Sequence, residues 1–250
     1  MIVIKSRQEI DYMRESGKIT AEVLIEIEKY IKPGVSTGEL NLFAEEYINR
    51  KNAIAAFKKV PGYNHGICAS INSEVVHGIP DNKRILESGD IIGIDVGVYK
   101  NGYYGDAAFT YPVGEISKEA ALLIEVTKKS LDIAIEKTIV NNRLFDISNA
   151  IESYVKKFGF SPVRDFVGHG IGTKMHEQPQ IPNFGEPGTG PRLKAGMVFA
   201  IEPMINIGSY EVKVLPDKWT VATKDGSLSC HFEHTVAITE DGPEVLTKFI

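Results

Sequence analysis

Residues 91–111 read IIGIDVGVYKNGYYGDAAFTY, two largely apolar runs joined by Asn101-Gly102. Asn-Gly between runs of this kind is the strongest short-range signal for a β-hairpin. Each run carries one acid, Asp95 and Asp106, where a buried strand is ordinarily apolar. Turning the chain at Asn101-Gly102 sets Asp106 opposite Gly97, two residues from Asp95 and on the same face. The two carboxylates become diagonal neighbours, and Gly97, with no side chain, leaves room for an ion between them. A buried ionised carboxylate costs several kcal/mol unless it is paired or bound to a cation.

Around this hairpin a repeat is visible: Leu86-x-x-Gly89-x-Ile91-Ile92-Gly93-Ile94-Asp95 lies over Leu193-x-x-Gly196-x-Val198-Phe199-Ala200-Ile201-Glu202 at an offset of 107 residues. The same offset lays Leu40 over Ile147, each in a helical stretch preceding its strand region. His77-Gly78-Ile79 and His169-Gly170-Ile171 echo one another at an offset of 92, so the loops differ between repeats. The repeat predicts one domain over 1–250 built of two related α/β halves, about 1–112 and 113–250, with a site at their interface. Residues 159–208 are rich in Gly and Pro and read as shaped loops around a cleft.

The repeat sets Glu202 in the place of Asp95, and a fourth acid, Glu233, interrupts the apolar run HFEHTVAI. Between Ile91 and Thr110 and between Met197 and Ile207 the only Lys or Arg is Lys100, which belongs to the turn. Four converging carboxylates therefore need a cation. His169, in VGHGIG, adds a nitrogen ligand, and a mixed nitrogen and oxygen set of five suits a pair of first-row divalent ions.

Elsewhere the signals are helical. Residues 6–31 place Ile10, Met13, Ile19, Val23, Ile27 and Ile31 on one face, opened by Ser6 and Glu9 as a capping box. Ser36 or Thr37 caps a second helix over 38–49, and two more are predicted over 118–138 and 145–158. Strands return over 197–207 and 232–239. Together with the hairpin this is an α+β chain.

Composition narrows the function. The 28 Lys+Arg against 33 Asp+Glu give a net charge of −5 without a basic block, which argues against nucleic-acid binding. The longest apolar runs, such as 197–201, fall far short of the ~18 residues of a membrane helix. The start, MIVIKSRQEI, has no apolar signal region, an expectation against secretion. Two cysteines form neither a disulfide framework nor a four-cysteine zinc site. Residues 168–174 (GHGIGTK) fail the spacing of a phosphate loop.

IKPGVSTGEL (31–40), VVHGIP (75–80), IDVGVYKNGYYGDAA (94–108), GHGIG with HEQPQ (168–180), FAIEPMI (199–205) and FEHTVAIT (232–239) together resemble the type I methionine aminopeptidases. The resemblance runs over nearly the whole chain. It implies the pita-bread metallopeptidase fold, two pseudo-symmetric halves with antiparallel sheet enclosing a dinuclear metal site. It implies Asp95, Asp106, His169, Glu202 and Glu233 as ligands of two divalent metal ions (Co, Mn, Fe or Zn), with Asp106 and Glu233 bridging.

The implied chemistry is hydrolysis of the first peptide bond of a nascent polypeptide that begins with Met. Water between the ions is acidified toward hydroxide, and Glu202 shuttles its proton to the leaving amine. By the same resemblance His176 stabilises the oxyanion and His77 contacts the scissile amide. The resemblance also implies Tyr63, Cys68 and Trp219 in the wall of an apolar, narrow methionine pocket. Met175 stands where many bacterial relatives carry an aromatic residue, and residues 57–63 match the family pattern loosely. A cytoplasmic monomer is expected, with no membrane association and no nucleic-acid specificity, and any ribosome contact would use the catalytic domain itself.

His65, His231 and His234 have no assigned role, although alternation puts His231 on the face of Glu233 and turns His234 away. A Xaa-Pro dipeptidase shares this fold and metal set and is the nearest rival, but its relatives usually carry a further N-terminal domain. The type II aminopeptidase carries a large insertion where only 30 residues separate Glu202 from Glu233. A non-enzymatic binding protein would be expected to have lost the ligands. A cysteine hydrolase built on Cys68 lacks any local nucleophile signature.

Overall fold

Ser6 opens the first helix, α1 (Arg7–Glu28), as a capping box: its hydroxyl accepts the Glu9 N–H and Glu9 accepts the Ser6 N–H. Ser36, rather than Thr37, does the same for α2 (Thr37–Arg50) with Glu39. Three short strands follow, β1 (Ile54–Ala55), β2 (Cys68–Ile71) and β3 (Glu74–Val76), before the long hairpin of β4 (Ile91–Lys100) and β5 (Tyr103–Pro112). The computed structural model describes residues 1–248.

The hairpin turns at Asn101-Gly102, both at positive φ (51° and 88°), the backbone that Asn-Gly favours. Its ladder is unbroken, with Gly97 opposite Asp106 and Asp95 opposite Ala108, as the turn predicts. β5 fills one edge of β4, and β2 and β1 pair in succession along the other. α1 crosses the hairpin with Ile10, Met13, Ile19, Val23, Leu24 and Ile27 buried. Backbones touch at the crossing: a Cβ on Gly105 would lie 2.6 Å from the Gly17 nitrogen, and one on Gly17 would collide with the Leu246 carbonyl, so neither residue has room for a side chain.

The second half starts with α3 (Lys118–Glu136), capped by Ser117, and α4 (Leu144–Val155) packed on it. Short strands follow: β6 (Ser161–Pro162), β7 (Gly168–Gly170), β8 (Glu177–Ile181), β9 (Val198–Ile201), β10 (Met204–Asn206), β11 (Val212–Val214), β12 (Val221–Thr223), β13 (Ser229–His231), β14 (His234–Thr239) and β15 (Gly242–Val245). The sheet β15-β14-β9-β7-β8 has five strands, and β13-β10-β6 and β11-β12-β3 have three each. Strand pairing among the described residues is antiparallel throughout. No helix among them is long and apolar enough to cross a membrane.

Two expected strands are shorter than their apolar runs. The run over 197–207 divides into β9 and β10 around Glu202-Pro203, because Pro203 has no N–H for the ladder. The run over 232–239 begins pairing only at His234, leaving Glu233 free of its own sheet. Both glutamates thus sit at strand breaks.

The 107-residue offset recurs in the hydrogen bonding. Gly34 N–H donates to Leu86 and Leu86 N–H to Val35, while Asn141 N–H donates to Leu193 and Leu193 N–H to Asn142. Ser36 bridges Ile85 as Arg143 bridges Arg192, and Ser36 and Arg143 precede α2 and α4.

Between the repeats, β5 runs antiparallel to residues 231–235 without forming an ordinary ladder. Thr110 Oγ1 accepts the His231 N–H at 3.1 Å and donates to the His231 carbonyl at 2.8 Å. Glu233 N–H donates to the Ala108 carbonyl at 2.8 Å. Thr235 grips the backbone of Asp106 with its hydroxyl in the same manner. Threonine hydroxyls here stand in for backbone partners and satisfy the buried N–H and carbonyl groups of His231 and Asp106.

Candidate metal centre and substrate pocket

The seam brings the acids together. Asp95 and Asp106 come from β4 and β5, His169 from β7, and Glu202 and Glu233 from the two strand breaks. All five line one cavity of about 160 Å³ with His77, His176, Tyr63, Cys68, Trp219, Phe57 and Val60. Every ligand, catalytic and pocket residue expected from the sequence is therefore in one place. Ligand atoms of Asp106, His169 and Glu233 lie within 4.8 Å of one another. Glu202 Oε1 is 3.6 Å from His169 Nε2. His169 Nδ1 lies 3.0 Å from its acceptor, the Gly170 carbonyl, so Nδ1 carries the proton and Nε2 presents its lone pair to the cavity. Asn183 donates to the Glu202 carbonyl at 3.0 Å and steadies the break before Pro203.

A buried Asp/His/Glu cluster of this kind is one way to hold divalent metal, and comparison with known proteins decides the family. The family model for metallopeptidase family M24 matches residues 11–240. The chain belongs to this family. It is 55% identical over 247 residues to a methionine aminopeptidase of Clostridium acetobutylicum, covering 99% of each chain. It is similar to the crystal structure of a methionine aminopeptidase from Thermotoga maritima, with a TM-score of 0.98 at 45% identity over 99% of this chain and 100% of that one. A prolidase from Pyrococcus furiosus, at TM-score 0.76 and 24% identity, shares the fold over 98% of this chain and 65% of its own.

The donor set of this M24 chain fits divalent cations on its own chemistry. Asp95 Oδ1, Asp106 Oδ1 and Glu233 Oε1 are buried without a hydrogen-bond partner, a costly arrangement for carboxylate oxygens unless a cation accepts them. Burial pushes the Asp95 carboxyl up to about 7. It drives Asp106, Glu202 and Glu233 well above the carboxylate range, and the charges of their neighbours push the same way. Divalent metal bound among them would reverse that sign and favour their ionised forms. Burial also lowers the imidazoles, His169 to about 3 and His77 to about 4, with His176 adding to both. They are neutral near pH 7 and able to act as lone-pair ligands or hydrogen-bond partners.

His77 holds a left-handed backbone, φ 60°, rare for a residue with a side chain and typical of functional turns. His176, the most open of the group, packs edge-on to His169 with ring centroids 4.4 Å apart. In the same cavity, the buried Tyr63 packs against Trp219 at 5.1 Å and against Phe57 at 6.2 Å. Asp217 holds the turn before Trp219 by accepting the N–H groups of Trp219 and Thr220. This explains a tryptophan inside a polar stretch.

One expectation is corrected. The space left by Gly97 is not open to an ion: a Cβ there would meet Met175 Cε at 2.7 Å, Ala56 Cβ at 2.9 Å and Phe57 Cε1 at 3.3 Å. Gly97 admits the apolar wall instead. Phe57 and Val60 were not singled out from the sequence; they lie in a short 3-10 turn and its exit, where no periodicity marks an inward face. His231 does lie beside the acids, its Nε2 3.7 Å from Glu202 Oε2, and His234 turns away to Thr247 at 2.8 Å.

Proposed function

We infer that this member of family M24 is a methionine aminopeptidase: it removes the N-terminal methionine of polypeptide chains by hydrolysing the first peptide bond. One observation carries the reading: a single cavity is lined both by apolar side chains and by the carboxylate and imidazole cluster. Phe57, Val60, Tyr63, Cys68 and Trp219 suit the unbranched thioether of methionine. A methionine whose side chain is bound among them would bring its carbonyl to the cluster that lines the same cavity.

In this reading Asp95, Asp106, His169, Glu202 and Glu233 would hold two divalent ions, of cobalt, manganese, iron or zinc. Such ions supply Lewis acidity and acidify water. Glu202 takes a proton from the attacking water and passes it to the leaving amine as the C–N bond breaks. His176 donates to the carbonyl oxygen as it gains charge, and His77 bonds the scissile amide. The His77 ring is steadied by edge-on packing against Phe166, with centroids 5.8 Å apart.

We further propose that the chain is one catalytic unit of two related halves, acting as a cytoplasmic monomer on nascent chains, with ribosome contact made by the same unit. The two cysteines, Cys68 and Cys230, are free and buried, which suits a reducing compartment. Sedimentation of the purified protein, alone and with ribosomes, tests the monomer and the contact.

The activity is tested by stripping the protein with a chelator and restoring single metal ions against Met-Ala-Ser and Ala-Pro. Turnover of the methionine peptide alone, restored by metal, is expected. Preferential cleavage of Ala-Pro would replace this reading with the proline dipeptidase. Activity that survived chelation but not thiol alkylation would replace it with a cysteine mechanism.

A further inference from the structure

His231 has no part in the chemistry above, yet its position is tightly specified. It sits on β13 opposite Met204, one residue beyond the Glu202-Pro203 break. Both of its backbone polar groups are bonded to the Thr110 hydroxyl. The residue is buried, at 4% exposure, and its Nε2 has no hydrogen-bond partner in the protein. A buried ring nitrogen left unpaired costs free energy unless something in the working site completes it.

The carboxylate of Glu202 is shared between two imidazoles. Oε1 faces His169 Nε2 at 3.6 Å and Oε2 faces His231 Nε2 at 3.7 Å. His169 Nε2 presents a lone pair, so it and Oε1 are both acceptors, and their approach points to a cation. Oε2 has no such role and is free to take a donor. We propose that His231 is a positioning residue for Glu202: its Nε2–H donates to Oε2 and thereby aims Oε1 at the place His169 also faces.

The present separation is roughly 0.7 Å longer than a formed hydrogen bond, a span that catalytic pairs often close only when substrate is seated. Because Thr110 fixes the backbone of His231, the movement falls to Glu202. The same bond holds one oxygen still while the carboxylate takes up and releases a proton. The inference rests on the reading of Glu202 as ligand and proton carrier.

The test uses the cobalt-loaded full chain with His231→Leu, His231→Gln and Glu202→Gln. A ligand-orienting partner is typically worth 10–100-fold in activity or metal affinity, so His231→Leu should lose about 30-fold in kcat with KM within about twofold. Its Co(II) visible spectrum should shift, reporting a reoriented carboxylate without reference to turnover. His231→Gln, whose amide still donates, should recover both. If His231→Leu does not fold, His231→Asn replaces it, since its shorter amide should show the same defect against Gln. A wild-type rate and spectrum in the Leu variant, or in Asn where that replaces it, would overturn the proposal, and so would a Gln variant no better than either. Full turnover in Glu202→Gln would instead remove the reading of Glu202; an inactive Glu202→Gln beside a normal His231→Leu would remove only the proposal for His231.

Discussion

The Thr235 hydroxyl accepts the backbone N–H of Asp106 at 3.0 Å and donates to the carbonyl of the same residue at 2.8 Å. Both residues are buried, and they belong to different halves of the chain. A single side-chain oxygen thus satisfies both backbone groups of a candidate bridging ligand. It also fixes where that ligand stands relative to Glu233, two residues before Thr235.

Thr235→Val keeps the shape and removes the hydroxyl. Two buried backbone groups lose their partner, and the variant should be destabilised by about 3 kcal/mol, given ~1–3 kcal/mol for each polar group left unpaired. Metal affinity should fall ~10–100-fold through displacement of Asp106. Thr235→Ser, which keeps the hydroxyl, should lose only about 1 kcal/mol for the missing methyl. Urea unfolding and metal titration of the pair check both effects.

Without metal, the raised carboxyl of Asp95 makes a pH-dependent difference between wild type and Asp95→Asn. Its folded-state value near 7 lies above the unfolded one near 3.8, so the folded protein holds the proton more tightly. Below about pH 4 the acid is protonated in both states and carries no ionisation penalty. As pH rises through the interval to 7, the unfolded state ionises first and wild type loses stability that Asn retains. The metal-free Asn variant should therefore gain Tm over wild type between pH 4 and 7 and hold the gain above it. Saturating metal should reverse the order at pH 7.5.

Gly97→Ala should narrow the methionine slot without touching the acids. The added methyl meets Met175 and Ala56 at 2.7 and 2.9 Å, and overpacking of this kind costs about 1–3 kcal/mol. KM for methionine peptides should rise several-fold while metal stoichiometry stays at the wild-type value. Trimming Met175 to Ala in the same chain should restore part of the affinity.

Lys5 and Glu177 form a buried ion pair at 2.7 Å, with side chains 3% and 7% exposed. Glu177 follows His176 and accepts the Lys174 N–H at 3.2 Å, so the pair anchors the loop that presents His176. Lys5→Met strands the carboxylate and should cost about 3–5 kcal/mol, with kcat falling as the loop loosens. Lys5→Met with Glu177→Gln should recover a large part of the stability, measured by urea denaturation.

The hairpin and the capping boxes were legible because short-range chemistry fixes them. Asn101-Gly102 sets the register of β4 and β5, and that register sets Asp95 and Asp106 on one face. The acids at 202 and 233 were legible by their cost, since nothing near them in sequence neutralises them. What stayed hidden depends on partners far along the chain. The space at Gly97 is filled by Met175, 78 residues on, and no local pattern announces that meeting. The break at Glu202-Pro203 was open to a reading of Pro203 against the apolar run. The hydroxyl seam was not legible, because threonine in a strand ordinarily signals only β-propensity.

The division of the cluster across the seam makes the reaction a test of completed folding. Asp95 and Asp106 lie before the midpoint of the chain; His169, Glu202 and Glu233 lie after it. A fragment ending at residue 112 would hold two acids with no ion to share, and the remainder would hold a histidine and two glutamates with no frame to set them in. Neither would be a peptidase, and a truncated product could not trim neighbouring chains indiscriminately. Mixed together, the two fragments should recover hydrolysis only as fast as β5 finds residues 231–235, making catalysis a clock for their docking.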